Sequence, residues 1–312
     1  MSNVRYPDLY ADGRLWERVR TAYAYLASCT ICPHRCGVNR LRGEEGRCKS
    51  ALLPKVASVN VHRGEEPAIS GTQGSGTVFM SGCTMQCLYC QNFPISQQQV
   101  GECLTTRQLA QRFVALQAKG VHNINFVTPT HWTPQILAAL WLAVPMGLQI
   151  PLVWNTSGFE SPHILALLDG IVDIYLPDMK YANPQVAQRI AGVADYPAVN
   201  REAIRCMHDQ VGYLAADDEG IAQRGMIVRH LVLPEGLAGT SDTLAWIADN
   251  LGSETTVSLM SQYFPADRAL CDQQLGRCIS EQEYEAACDL LEDNGLEEGW
   301  VQELSKERGA VV

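Results

Sequence analysis

Between Thr77 and Met260 short apolar runs alternate with longer stretches whose apolar residues recur every three or four positions. The short runs predict strands over 77–81, 123–127, 149–154, 171–176, 226–232 and 256–260, and the longer stretches predict helices between them. After Thr106, Leu109, Phe113 and Leu116 fall on one helical face. Thr133-Pro134, Ser161-Pro162 and Asn183-Pro184 each pair a capping oxygen with a proline suited to the first helical position. An N-terminal helix is predicted over 14–27 from Leu15, Val19, Ala22 and Leu26, and an acidic packing helix over 280–304 from Tyr284, Cys288 and Leu291. Strands alternating with helices form parallel βαβ units. Six such units fall short of the eight of a closed barrel, which needs about 250 residues. The expected fold is α/β, a partial six-unit (β/α) barrel over 71–265. A helix and a cysteine-rich extension occupy 1–70, and a helical tail occupies 266–312.

No Asp, Glu, Lys or Arg lies between His131 and Glu160, which imitates a membrane span. Pro145, Gly147 and Pro151 break the run, so it reads as a buried helix followed by a strand. The 312 residues are 46% hydrophobic and 19% charged, ordinary for a globular protein. A net charge of −10 argues against nucleic acid as the main partner, since phosphates need a basic surface. Twelve cysteines behind a start without an apolar signal segment predict a reduced, cytoplasmic protein with no membrane partner. Metal ligation is the expected use of the thiols, rather than disulfides.

Cys83, Cys87 and Cys90 form the sequence Cys-x₃-Cys-x₂-Cys with no fourth cysteine close behind. A protein-held cubane cluster takes four thiolates, so three on one loop leave one iron open to a small chelating molecule. S-adenosylmethionine (SAM), with adjacent amino and carboxylate groups, suits that position. A zinc knuckle or three reduced structural thiols are the plainer readings.

This motif, with Tyr89 at its aromatic position, resembles the signature of the radical SAM superfamily. The run from Ile69 to Gly82 and the following Gln91-Asn92 resemble the branch of pyruvate formate-lyase activating enzyme and its homologues with a cysteine-rich N-terminus. The resemblance extends from about Cys29 to Phe264. It implies a barrel of the radical SAM type with the cluster loop at its C-terminal mouth. It also implies a [4Fe–4S] cluster that reductively cleaves SAM to a 5′-deoxyadenosyl radical, which abstracts hydrogen from a glycine of a glycyl radical enzyme. Flavodoxin or ferredoxin is the implied electron donor. Radical modification of a small molecule or peptide is the alternative. A non-catalytic iron–sulfur protein for electron transfer or redox sensing is a third reading, disfavoured because an electron carrier usually saturates its cluster with protein ligands.

The resemblance also assigns binding roles. Tyr89 packs near the adenine, and Asn92 joins it from the cluster loop. Thr128 lies in Val127-Thr-Pro-Thr-His131, which lacks the family's double glycine and acid, so backbone carbonyls there are left for the SAM ammonium. Asn155 and Thr156 stand where the activating enzyme helps hold a monovalent cation, with Asn155 replacing an acid. Asp178 completes that site and Lys180 faces the SAM carboxylate, unless the two form a strand-end salt bridge. Arg229, within an apolar strand, needs a polar cavity or a partner and is expected to reach SAM. Tyr263 is either a cavity wall or core. Gly158 is expected at positive φ in a strand-to-helix turn. Gly71-Thr-Gln-Gly-Ser-Gly76 lacks the Lys-Ser/Thr of a P-loop and precedes a strand, which excludes that reading.

Cys29, Cys32, Cys36 and Cys48 supply four more thiols on glycine-containing loops. They suit a tetrahedral zinc ion or an auxiliary iron–sulfur cluster, with zinc or a structural knuckle preferred and unliganded buried thiols as the alternative. His34 is expected as a surface imidazole or an alternative ligand. Cys103, Cys206, Cys271, Cys278 and Cys288 lack ligand-like spacing and are expected as small buried hydrophobes.

Overall fold

The structure is a computed structural model that describes residues 4–304. The chain opens with helices α1 (Tyr6–Ala11) and α2 (Arg14–Ala24). Leu15, Val19 and Ala22 of α2 are buried, and so is Leu26 in the turn beyond it. After the cysteine-rich loop come strand β1 (Lys55–His62), the one-turn helix α3 (Pro67–Ser70) and strand β2 (Ser75–Met80). The cluster loop leads through α4 (Phe93–Ser96) and β3 (Glu102–Cys103) to α5 (Thr106–Gln117). Alternation then sets in with β4 (Ile124–Val127), α6 (Thr133–Ala143), β5 (Leu152–Thr156), α7 (Pro162–Leu168) and β6 (Ile174–Pro177). Helices α8 (Pro184–Ala191) and α9 (Tyr196–Val211) precede β7 (Ala215–Ala216) and β8 (Ala222–Leu231). The chain continues with α10 (Thr240–Leu251), β9 (Thr256–Met260), α11 (Glu281–Asp293) and β10 (Gly299–Val301).

The strands run in the order β10-β9-β8-β6-β5-β4-β2-β1-β3, with β7 beside β8. All six expected strands are present as the parallel series β2, β4, β5, β6, β8 and β9, with shifted ends. β10 adds a parallel strand at one side, and β1 pairs antiparallel with β2 at the other. The sheet therefore extends beyond 71–265 in both directions and is not closed, since β10 and β3 form its ends. It curls strongly. Glu65, just past β1, lies 3.7 Å from Arg229 of β8, although four strands separate β1 and β8. In a flat sheet those strands would stand about 24 Å apart.

The curl creates an inner and an outer layer. Inside, Ile69 of α3 packs with Val153, Ile174, Leu176 and Ile227, so α3 plugs the concave side of the sheet at its base. Asn123 ties the plug down by donating to the Ile69 carbonyl at 2.8 Å, while Ser75 Oγ donates to Asn123 Oδ1 at 2.6 Å. Outside, the helices cover the sheet, as where Phe113 of α5 meets Phe126 of β4 at 5.1 Å. Along β8 the side chains alternate: Ile227 joins the inner cluster and Val228 the outer.

Several sequence expectations need correction. Thr133 is the first residue of α6, not its cap; its Oγ1 donates to the Thr130 carbonyl at 2.7 Å. Ser161 sits at the α7 N-cap without making a side-chain cap bond. Asn183 caps as expected, accepting from the backbone amides of Gln185 and Val186. The tail is not wholly helical, because β10 joins the sheet after α11; 305–312 lie outside the described residues. None of the five scattered cysteines is fully buried: Cys103, Cys271 and Cys278 are exposed, and Cys206 and Cys288 half-buried. Among the described residues no helix is long and apolar enough to cross a membrane.

Candidate iron–sulfur and ligand site

A cavity of about 600 Å³ opens at the C-terminal ends of the parallel strands. Cys83, Cys87, Tyr89, Cys90 and Asn92 line it from the loop after β2, and Thr128 from the loop after β4. Asn155 and Thr156 enter from β5, Asp178 and Lys180 from the end of β6, and Arg229 from β8. Every expected ligand-pocket residue thus faces one space. Tyr263 does not; it is core, donating to the Leu275 carbonyl at 2.7 Å.

The cysteine loop is held from several directions. Leu88 donates its amide to the Ile190 carbonyl at 2.9 Å and accepts from the Ala269 amide at 3.2 Å. Gln91 donates to the Gln262 carbonyl at 2.9 Å, and Gln97 to the Cys87 carbonyl at 3.0 Å. Arg47 Nε donates to the Thr84 carbonyl at 3.1 Å, and His34 Nε2 lies 2.8 Å from the same oxygen. His34 is therefore a half-buried clamp on this loop instead of a surface imidazole. Gly82 begins the loop at φ 91°, and a Cβ there would come within 2.6 Å of the Cys48 carbonyl.

Burial pushes the Cys87 thiol up to about 12, although Lys180 and the Tyr181 hydroxyl work against it. Burial raises Cys83 too, and the neighbouring Cys90 adds to the effect. As free thiols these groups stay protonated at neutral pH, and a metal ion would make them thiolates. The Tyr181 hydroxyl donates to Cys87 Sγ at 3.0 Å and stands 3.1 Å from the Tyr89 hydroxyl. As the side chains stand, no three His, Cys, Asp or Glu among the described residues converge closely enough to hold a single metal ion. The donor set nevertheless fits an iron–sulfur cluster: three soft sulfurs on one loop line one wall of the cavity.

The same cavity holds a charged network centred on Asp178. Lys180 Nζ reaches its Oδ2 at 2.6 Å and Arg229 Nε its Oδ1 at 2.9 Å. Arg229 Nη2 also donates to Asn155 Oδ1 at 2.6 Å. Burial disfavours ionisation of Asp178, but Arg229 and Lys180 outweigh it and hold the carboxyl below its ordinary range. The oxygens that would ligate a monovalent cation are thus occupied by a guanidinium and an ammonium, and the residues do not fit such an ion. Gly158 has the expected positive φ, 69°; a Cβ there would collide with Asn200 Nδ2 and come within 2.9 Å of the Asp178 carbonyl.

Glu160 is a further buried acid beside the site, not expected from the sequence. Its Oε1 accepts from Thr156 Oγ1 at 2.6 Å, Thr130 Oγ1 at 2.7 Å and Trp154 Nε1 at 3.2 Å, locking the loops after β4 and β5 together. Burial raises its carboxyl to about 6 against those hydrogen bonds. A lone acid at the end of a charge-free run was the available signal, since such a group must find donors. Glu65 and Glu66, which also line the cavity, were missed because β1 was not expected.

Of the N-terminal cysteines, Cys29, Cys32 and Cys48 are buried and Cys36 is exposed; none lines the cavity. They share a neighbourhood: burial chiefly raises the Cys32 thiol, and Cys48, Cys36 and Cys29 add to it. Arg40 is fully buried beside them and, among the described residues, has no carboxylate partner. It donates to the carbonyls of Ala51 and His131, the latter at 2.6 Å, and lies over the Trp132 ring. His131 and Trp132 in turn hold the Ser81 carbonyl at 2.9 and 2.8 Å, so the extension braces the start of the cysteine loop.

Residues 70–174 match the 4Fe-4S single cluster domain family. That span contains Cys83, Cys87 and Cys90 and leaves out the N-terminal cysteines. This part of the chain is of the iron–sulfur-binding type. An uncharacterized protein of Methanocaldococcus jannaschii is 29% identical over 289 residues, covering 90% of this chain and 79% of its own. A radical SAM methyltransferase from Sphaerobacter thermophilus, known from its crystal structure, has a TM-score of 0.47 and 14% identity over 72% of this chain and 66% of its own.

Proposed function

We propose that this chain is a radical SAM enzyme that binds SAM against a [4Fe–4S] cluster held by Cys83, Cys87 and Cys90 and takes a hydrogen atom from a second substrate. The observation that carries the reading is that the three thiols and the polar set Asn155, Asp178, Lys180 and Arg229 line one cavity at the strand ends. A cluster bound there would supply the electron that splits SAM into methionine and a 5′-deoxyadenosyl radical. The chain's own residues bind and orient. Asn92, Thr128 and Thr156 offer hydrogen-bonding groups, and Lys180 and Arg229 keep N–H donors for a carboxylate beyond those used on Asp178. The buried Tyr89 and Tyr181 exclude water from the thiol side.

The resemblance to pyruvate formate-lyase activating enzyme supports a glycine of a glycyl radical enzyme as hydrogen donor and flavodoxin or ferredoxin as reductant, in the reducing cytoplasm that the cysteine usage implies. The acids Glu65 and Glu66 in the cavity favour the second reading, a charged small molecule or peptide. The N-terminal cysteines would hold a separate structural zinc ion or auxiliary cluster, with Arg40 offsetting its negative charge.

The deciding experiment is anaerobic reconstitution with iron and sulfide, reduction, and quantification of 5′-deoxyadenosine from added SAM. Stoichiometric or greater formation is expected. A reducible cluster that leaves SAM intact would instead assign the protein to electron transfer or redox sensing.

A further inference from the structure

The cavity has a floor as well as a cysteine-bearing roof. The end of β1 pairs with the start of β2, His62 opposite Ser75, whereas the cysteine loop leaves β2 at its other end. Glu65 and Glu66 therefore enter the cavity from the end remote from the thiols, just above the α3 plug. The charged groups lining the cavity are Glu65, Glu66 and Asp178 with Lys180 and Arg229. Burial raises the Glu65 carboxyl to about 7, and its side chain hydrogen-bonds with that of Glu66. Both cations are bound to Asp178, and Arg229 reaches Glu65 only at 3.7 Å. Glu66 forms no ion pair among the described residues; it is 9% exposed, and its Oε2 has no hydrogen-bond partner.

A buried carboxylate oxygen without a partner is costly unless a ligand completes it.

We infer that Glu66, with Glu65, forms a recognition site for a protonated primary amine on the hydrogen-donor substrate. An ammonium presents three N–H donors and would favour the ionised form of both carboxyls at the floor. This inference rests on the proposed radical SAM function, in which the amino and carboxylate groups of SAM belong at the open iron on the roof. An ammonium at the floor then belongs to the second substrate, either a small alkylamine or a lysyl side chain. A peptide glycine carries no such charge.

The test uses the reconstituted full-length protein with SAM present. Pentylamine and Nα-acetyl-lysinamide are compared by calorimetry with the uncharged 1-pentanol and Nα-acetyl-norleucinamide. Both amines, or one of them, should bind at least tenfold more tightly than the matched neutral compound, and the preferred one identifies the source. Glu66→Gln should abolish that preference while iron content and SAM affinity stay at wild-type values. Glu65→Gln, which tests the same floor if Glu66→Gln fails to fold, should reduce the preference severalfold. Equal binding of amines and neutral analogues, or a preference that survives Glu66→Gln, would overturn the assignment. A tenfold loss of SAM affinity with the preference intact would give the site to the ammonium of SAM and overturn it as well. SAM cleavage by the same wild-type samples separates the two levels: cleavage without amine preference leaves the function standing and removes the site, and the reverse result removes the function and leaves the site.

Discussion

Arg229 and Asp178 are bonded at 2.9 Å across the β6–β8 strand ends, and the same guanidinium extends to Asn155 on β5. One side chain therefore fixes the spacing of three neighbouring strand ends around the cavity. Arg229→Ala would leave Glu65 and Asn155 without this donor and Asp178 with Lys180 alone. Breaking a buried pair in this way costs about 3–5 kcal/mol. Anaerobic denaturant unfolding should register the loss, and equilibrium dialysis should show weakened SAM binding. In a double-mutant cycle with Asp178→Ala, a coupling of about 0.5–3 kcal/mol is expected. Strictly additive effects would show that the pair does not act as a unit.

Substituting Cys83, Cys87 or Cys90 by alanine should remove the cluster absorption and end SAM cleavage, because two thiolates cannot hold a site-differentiated cluster. Tyr181→Phe is gentler. It deletes the hydroxyl that donates to Cys87 Sγ, so iron content should hold while the reduction potential falls, since hydrogen bonds to cluster sulfurs tune potential. Potentiometry followed by EPR reads the shift, and an unchanged potential would mean that this contact is only packing.

The N-terminal thiols should carry a centre independent of the catalytic loop. Elemental analysis of anaerobically purified protein should give about four irons and one zinc for a knuckle, or about eight irons for an auxiliary cluster. Cys29→Ala with Cys32→Ala should remove that second component alone. Four irons, no zinc and no effect of the double substitution would reduce the motif to free thiols.

Asp173 gives the stability a definite pH dependence. Burial raises its carboxyl to about 7, against the Leu152 amide and the charges of Arg5 and Arg224. The native state thus binds more protons than the unfolded chain, whose aspartate titrates near ~4. The stabilisation from this group is complete below that value and is lost as pH rises through about 7. Asp173→Asn retains an acceptor for the Leu152 amide but cannot ionise. Its melting temperature relative to wild type should climb between pH 5 and pH 8, and a flat difference would remove Asp173 as the source.

The six parallel strands were legible in the sequence from apolar periodicity, and the cavity-facing set from Cys83 to Arg229 from the resemblance of its strand-end motifs to a known superfamily. β1 was not. Lys55–His62 alternates in polarity on a mostly half-buried strand, so its identity depends on pairing with β2, twenty residues farther on. With β1 went Glu65 and Glu66, whose position follows only from the curl that brings Glu65 to Arg229. Thr133 failed as a cap because its backbone is already helical after the turn at 130–132, and its hydroxyl donates to the Thr130 carbonyl. The tail read as helix because Gly299–Val301 is too short to show a strand period and gains its conformation from β9.

The frame around the cysteine loop bears on how the centre is assembled. Arg47, Ile190, Gln262 and Ala269 reach the loop through protein hydrogen bonds alone. The ordering entropy of this segment is therefore met by the polypeptide, unlike a zinc finger, where the metal folds the chain. Iron need not act as a keystone here. Were the proposed centre lost, the loop would keep its frame for rebuilding on the same molecule, and the working life of the protein would be set apart from that of its inorganic part.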